Sequence, residues 1–393
     1  MILYIIIFIS ACLLALVITR GIITISRRYH ILDAPSLPLK AHAKEMPLLG
    51  GIGIFLTSVL VFFILLKIGE FVVFQSQFDP LYGLSQNYLA RAGFQTSLAS
   101  SVPLKNLIAI FIASIILGIG GFIDDRFKIE PSQQFIFPML ATIIVIASGV
   151  GIRTATNPLY EIGLSAVPFF NLDAVKLKLI TIGGIPYFFS LYADSFTFLW
   201  LLGMMYTTKF LDGLDGLVAG ITEIGFIVLF AVSIILAQPV VGMFSIILAG
   251  ATLGFLWWNF HPSKIFLGEF GSIWLGFILG TLAIMGEARV SITLLIMAIP
   301  ILDVCWIILR RLFFEKKSPF QGDRKHLHFR LLDKGFTHRQ SVFFLYALSA
   351  LCGAVGLFLR ERGRIITFIL LLLLMLLIGF WLTSKKLPSK KQQ

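Results

Sequence analysis

The chain has 393 residues, 58% of them hydrophobic and 13% charged, with a mean hydropathy of +0.94 and a formal net charge of +12. That balance excludes a soluble globular domain, and its repeated apolar runs of about 20 residues are those of membrane-spanning helices. No nucleic-acid-binding module accompanies the positive charge, which therefore reads as loops facing anionic lipid.

Taken in order, the apolar segments are 2–18, 48–66, 105–123, 134–152, 195–212, 217–236, 239–258, 271–287, 290–309, 341–359 and 364–382. The fold predicted is an all-α polytopic membrane protein of about eleven transmembrane helices, one integral domain over 1–393. The first segment lacks a basic lead and a cleavage site, so it is expected to be a retained span. Lys and Arg fix the orientation. Arg20, Arg27, Arg28, Lys40 and Lys44 follow span 1, a basic loop occupies 310–340, and a basic tail occupies 383–393. All three then lie in the cytoplasm, with the N-terminus outside and the C-terminus inside; only the turn with Arg360, Arg362 and Arg364 dissents. Two external loops, 67–104 and 153–194, complete the layout, the second with a short hairpin at VKLKLITIGGI. Cys12, Cys305 and Cys352 all fall within apolar runs, which argues against a disulfide framework or a zinc site.

The polar motifs collect on the cytoplasmic side. KFLDGLDGLVAG sets Asp212 and Asp215 three residues apart, on one face of a helical turn, each followed by a Gly that admits a close neighbour. A charge near the membrane interior costs about 2.5–3.5 kcal/mol, so tandem acids flush with a span point to function. GGFIDDRFKIE carries adjacent Asp124 and Asp125, suited to a divalent cation or to a base beside an ionised partner. FHPSKIFLGEFGSIWLG places Glu269 between glycines at a helix start, with Lys264 upstream. FQGDRKHLHFRLLDKGFTHRQ combines His326, His328 and Arg324 in a loop able to grip a pyrophosphate. Taken singly, each has a bland reading as a solvated span end, a capped turn or a basic loop on lipid. Their agreement on one face points to a single site.

These stretches resemble the polyprenyl-phosphate N-acetylhexosamine-1-phosphate transferase family (glycosyltransferase family 4). The resemblance runs from Leu32 to span 10 through Asp33-Ala-Pro35, Lys40-Ala-His42, Pro47-Leu-Leu-Gly50-Gly51, Gly121-Phe-Ile-Asp124-Asp125-Arg126 and Asp212-Gly-Leu-Asp215-Gly216-Leu217. It continues through Asn259-Phe-His-Pro262, Phe266-Leu-Gly268-Glu269-Phe-Gly271-Ser272, Asp323-Arg-Lys-His326-Leu-His328 and Gly335-Phe-Thr-His-Arg339-Gln340. The His-Leu-His segment is similar to the branch that primes O-antigen, enterobacterial common antigen and teichoic acid synthesis. The peptidoglycan branch, phospho-MurNAc-pentapeptide translocase, usually has three consecutive histidines there. The resemblance implies transfer of a HexNAc-1-phosphate, GlcNAc-1-phosphate foremost, from a UDP-sugar to undecaprenyl or another polyprenyl phosphate, with release of UMP and use of Mg²⁺ or Mn²⁺. It implies an enzyme of the cell membrane, compatible with a homodimer. Asp124, Asp125 and Asp212 are the implied catalytic residues, and Glu269, Asp125 and Asp212 the implied metal ligands. Lys209, Asp215, Lys264, Arg324, His326, His328 and His42 are the implied substrate-binding residues.

The chain departs from that pattern at several positions. Lys209 and Tyr206 stand where the family usually has Asn, Glu269 stands for an Asp, and Phe329 replaces a final His. A basic residue and a Gln common downstream of the paired acids are Gln134 and Pro138. Lys209 would repel a cation sharing its position. Three outcomes compete: pairing with Glu269 or a substrate phosphate while Mg²⁺ shifts onto the aspartates, partial replacement of the metal, or a weakly active relative. From another class, a transporter would use intramembrane acids such as Glu223, but would spread polar groups through the membrane depth.

Overall fold

The computed structural model describes residues 1–33, 45–76, 103–156, 169–182, 185–285, 289–316, 326–359 and 361–384. Helices dominate: α1 (Ile2–Arg28), α2 (Gly50–Ser76), α3 (Leu104–Phe127), α4 (Pro131–Gln134), α5 (Ile136–Ala147), α6 (Leu191–Leu211) and α7 (Leu217–Ile235). They continue with α8 (Pro239–Asn259), α9 (Gly268–Ile284), α10 (Arg289–Ile296), α11 (Ala298–Leu309), α12 (Leu327–Asp333), α13 (His338–Phe358) and α14 (Glu361–Ser384). A π-helical turn, Arg310–Glu315, extends α11.

All eleven predicted segments fall on helices. Six of these helices (α1, α2, α3, α7, α8 and α13) are long and apolar enough to cross a membrane among the described residues. The count becomes seven if α10 and α11, bent by 71°, form one span. The chain is therefore an all-α polytopic membrane protein. The predicted straight span at 290–309 is in fact this broken pair. The strands are minor and antiparallel. β1 (Leu32–Asp33) pairs with β2 (Met46–Pro47), and β3 (Thr154–Thr156) with β4 (Phe169–Asn171). β5 (Lys176–Ile182) pairs with β6 (Ile185–Ser190), forming the hairpin expected at VKLKLITIGGI. At its base, hydrogen bonds from Lys176 and Ser190, with Arg153 nearby, hold Asp173 down to about 2.

Helices α7, α8 and α9 form the centre, where Phe226, Phe255 and Phe277 are fully buried. Helix α1 packs along α8, and α6 along α9. Exposed Ile, Leu and Phe side chains on α1, α2, α3 and α14 mark the lipid-facing perimeter. Two indoles find partners between helices: Trp274 Nε1 donates to Ser114 Oγ (2.9 Å) and Trp200 Nε1 to the Gly280 carbonyl (3.1 Å).

Close backbone contact brings the helix ends together. The Gly50 and Gly51 amides donate to the carbonyls of Phe266 and Leu267 (3.0 and 2.8 Å), and a Cβ on Gly51 would collide with the Gly271 backbone. A Cβ on Gly121 would lie 2.5 Å from Phe270 Cα. The starts of α2 and α9 and the end of α3 thus meet at glycine-only crossings. Gly51→Ala gains about 1 kcal/mol of helix propensity but forces backbone apart, and overpacking costs about 1–3 kcal/mol. A net loss of thermal stability in detergent is expected. Gly21→Ala, at a position where a Cβ meets nothing within 4 Å, keeps the propensity gain and should melt no lower than wild type.

Candidate active site at one end of the bundle

Each element delivers its polar residues to the same end. Helix α3 finishes with Asp124 and Asp125, and α6 finishes with Lys209 just before the Asp212-to-Gly216 turn that starts α7. Helix α8 runs into the His261 loop, which leads to Glu269 in the first turn of α9.

The centre is a connected circuit. The Lys209 ammonium donates to Glu269 Oε1, forming an ion pair whose side chains are 18% and 15% exposed. It also donates to Gln134 Oε1 (2.7 Å), while Gln134 Nε2 donates to Asp124 Oδ1 (2.7 Å). The Glu269 amide donates to Asp125 Oδ1 (3.1 Å). Asp125 Oδ2 is buried with no hydrogen-bond partner, and a Cβ on Gly268 (φ +77°) would come within 2.8 Å of it. Gly268 therefore serves both the left-handed backbone and the space beside that oxygen. Asp125 feels the charges of Glu269, Asp124 and Asp212, and Asp212 those of Glu269 and Asp215. Asp212 is itself exposed.

Asp124, Asp125, Asp212 and Glu269 influence one another electrostatically beside one ammonium, and a buried carboxylate oxygen stays unpartnered. No three of them bring ligand atoms within 4.8 Å of one another among the described residues, so the expected trio of Glu269, Asp125 and Asp212 is not assembled, and a hard divalent cation there would take two of them at most. Glu269 differs from the two aspartates in already holding Lys209.

Asp215 belongs to a neighbouring cluster. Its Oδ2 meets His261 Nδ1 (2.7 Å) and accepts from the Ser263 amide (3.3 Å). His261 stacks on His338 with ring centroids 4.1 Å apart, and Arg339 donates twice to the His261 carbonyl (3.1 and 2.9 Å). Thr337 and Gln340 close a reciprocal cap on α13. The Gly-Phe-Thr-His-Arg-Gln stretch is thus a clamp that fastens α13 to the α8–α9 loop. Asp215, His261 and His338 bring ligand atoms within 4.8 Å of one another, the one such trio among the described residues.

The histidine loop is anchored from beneath. His326 Nδ1 meets Asp303 Oδ2 (2.8 Å), and Asp303 Oδ1 accepts from the Leu327 amide (3.0 Å) at the start of α12. With the proton on Nδ1 facing Asp303, Nε2 is left for another partner. His328 is 1% exposed, and a Cβ on Gly213 would collide with its Nε2, so it braces the Asp-Gly-Leu-Asp turn. Burial, with His326 and His338 nearby, pushes its imidazole down to about 3, so it is neutral near pH 7. Lys264 lies over Trp258 (5.0 Å), away from the carboxylate circuit. His42 and Arg324 lie outside the described residues.

Four residues of this end carry no site role in the sequence reading: Gln134, His261, Asp303 and His338. Asp303 did carry a signal, since an acid inside an apolar run needs a partner. Gln134 carried one as a departure from the family pattern, and His261 and His338 lie within two of the motifs that carry the resemblance.

A model described as glycosyl transferase family 4 matches residues 107–287, the stretch from Asp124 to Glu269 included. A Bacillus subtilis protein named "Probable undecaprenyl-phosphate N-acetylglucosaminyl 1-phosphate transferase" is 26% identical over 382 residues, covering 94% of this chain and 90% of that protein. A phospho-N-acetylmuramoyl-pentapeptide-transferase of Staphylococcus haemolyticus is 30% identical over 298 residues, covering 70% of this chain and 87% of that protein. A decaprenyl-phosphate N-acetylglucosaminephosphotransferase of Mycolicibacterium smegmatis is 29% identical over 263 residues, covering 61% and 59%. With its paired acids, tandem Asp-Gly turn and glycine-flanked Glu269 assembled at one end of a helix bundle, the chain belongs to glycosyl transferase family 4, the polyprenyl-phosphate N-acetylhexosamine-1-phosphate transferases.

Proposed function

We propose that the protein transfers a HexNAc-1-phosphate, GlcNAc-1-phosphate foremost, from a UDP-sugar to a polyprenyl phosphate. The observation that carries this reading is the convergence of Asp124, Asp125, Asp212 and Glu269 on one end of a membrane bundle. A lipid phosphate can reach such a place from the bilayer and a nucleotide sugar from water. That end is assigned to the cytoplasmic face of the cell membrane, because the Lys- and Arg-rich segments flank it.

In the reaction, an oxygen of the lipid phosphate attacks the sugar-bearing phosphorus, the bond to the bridging oxygen breaks, and UMP leaves with that oxygen. Asp124 positions the lipid phosphate and takes its remaining proton. Asp125 and Asp212 would hold a Mg²⁺, which would supply neutralisation of the diphosphate charge, since Glu269 is engaged by Lys209. His326 presents Nε2 toward the nucleotide side while Asp303 fixes its ring. Asp215, held by His261, shapes the nucleotide pocket.

GlcNAc leads as the sugar because the Bacillus subtilis relative aligns over nearly the whole chain. The pentapeptide-transferase relative keeps UDP-MurNAc-pentapeptide as the second donor class. A donor panel with undecaprenyl phosphate in detergent decides between them: UMP release with UDP-GlcNAc is expected, and release with none of the donors would sink the transferase reading. Asp124→Asn should lower turnover by about 10²–10⁴-fold, the span of a lost acid–base group. Chelation of divalent ions should stop turnover, and Asp125→Asn should raise the Mg²⁺ concentration needed to restore it. Asp303→Ala frees the His326 ring, and a loss of about tenfold or more in kcat/KM is expected with the bundle still folded.

A further inference from the structure

Gln134 is the hinge of the carboxylate circuit. An ammonium can only donate, so the Gln134 carbonyl must face Lys209 and its NH₂ must face Asp124, as the hydrogen bonds at 2.7 Å on either side require. The same NH₂ also donates to the Ile129 carbonyl (3.1 Å), tying the amide to the turn between α3 and α4. On the far side Lys209 reaches Glu269, whose backbone amide holds Asp125. Four elements, α3, α4, α6 and α9, are therefore linked through one amide and one ammonium. The adjoining cavity, lined by Asp124, Gln134 and Glu269 among others, has a volume of about 10 Å³, room for one water at most.

We propose that Gln134 and Lys209 are a single positioning unit for Asp124. The pair supplies one amide and one cation between Asp124 and Glu269, and its effect depends on the pair rather than on which residue carries the charge. Neither residue touches the reacting atoms in this role; both act by fixing the orientation and electrostatic surroundings of Asp124. The inference rests on the transferase reading above.

The geometry supports interchange. Gln134 and Lys209 face each other across one hydrogen bond, and each is flanked by a carboxylate that accepts from either an ammonium or an amide NH₂. Lys209→Gln leaves the carboxylates with no cation among them. Gln134→Lys sets two ammonium groups against each other. The double exchange returns one cation and one amide to the same space.

The test uses the full-length protein in detergent and reads UMP release together with the melting temperature. Lys209→Gln, Gln134→Lys and Gln134→Leu should each lose about tenfold or more in turnover, the scale expected when a group orienting a functional side chain is removed. The exchange variant Gln134→Lys/Lys209→Gln should recover to within about threefold of wild type. The split between kcat and KM separates positioning from packing. Asp124 is held by Gln134 on α4, which meets Lys209 on α6 and through it Glu269 on α9, so losing either member should lower kcat while the KM for the donor changes little. The exchange should bring kcat back.

Single losses that multiply in the double variant, with no return of kcat, would overturn the unit. Wild type that releases UMP while the exchange fails sinks this inference and leaves the transferase reading standing. Wild type that releases no UMP with any donor sinks the transferase reading. The melting temperatures then decide the coupling, with recovery in the exchange variant supporting the unit and its absence overturning it.

Discussion

One ammonium among four carboxylates sets the character of this protein. Unit charges about 4 Å apart interact by about 4 kcal/mol at an effective dielectric constant of 20, so Asp124, Asp125, Asp212 and Glu269 could not share a helix-bundle end unopposed. Lys209 is the cation that the chain itself supplies, and its pairing with Glu269 is mostly shielded from solvent. Such a pair adds little net stability compared with an apolar substitute, whereas removing one partner alone costs about 3–5 kcal/mol when burial is complete and less here. Its value lies in arrangement. The ammonium draws Glu269 toward α6 and leaves the unpartnered oxygen of Asp125 as the point of unsatisfied negative charge.

The bundle around it is built to bring helix ends close and to keep polar groups out of the lipid. Gly51, Gly121 and Gly271 allow three backbones to meet beside Glu269, which no residue with a side chain would permit. Buried hydroxyls within the spans are largely satisfied by their own helices: Thr57 donates to Gly53, Thr142 to Pro138, Thr222 to Val218 and Thr281 to Phe277. Hydroxyls used in this way do not form a polar path across the membrane. Glu223 stands apart, 6% exposed on α7 with both carboxylate oxygens unpartnered. One unpartnered acid within the spans is a poor ion pathway, and the carboxylates of the larger cluster sit at one end of the bundle. The distribution favours chemistry at a face over transport through the depth.

Much of this was legible from the residues alone. Apolar run length located the long helices, because the bilayer demands about 20 residues per span whatever the tertiary packing, but it did not mark the short α4 and α12. The break between α10 and α11 did carry a signal in Pro300, which has no amide to donate to the Ile296 carbonyl, but a Pro inside an apolar run does not give the size of the bend. Asp124, Asp125, Asp212 and Glu269 stood out because charge beside a span is costly. The pairing of Lys209 with Glu269 could be written down as one of three outcomes, but sequence carries no distance between residues 60 apart. His328 shows the opposite limit. Its residue type and its neighbour His326 imply substrate contact, yet its ring is buried against Gly213 while His326 turns to Asp303. Periodicity cannot say which of two histidines in a short helix faces the site.

Departures from a family pattern mean something different once they are seen to touch. Read by position, Gln134 is a lost basic residue and Lys209 a lost amide, two separate defects in a metal- and phosphate-handling site. In space their side chains meet at 2.7 Å, so the cation and the amide have changed places within one hydrogen bond. The inventory of charges between Asp124 and Glu269 is then the same as the pattern would supply, and only the helix that carries the cation differs. A cation on α6 rather than α4 sits directly against Glu269 and ties up that carboxylate, while Asp125 keeps an oxygen without a partner. Glu269, one methylene longer than the Asp usual there, uses its carboxylate to meet the ammonium.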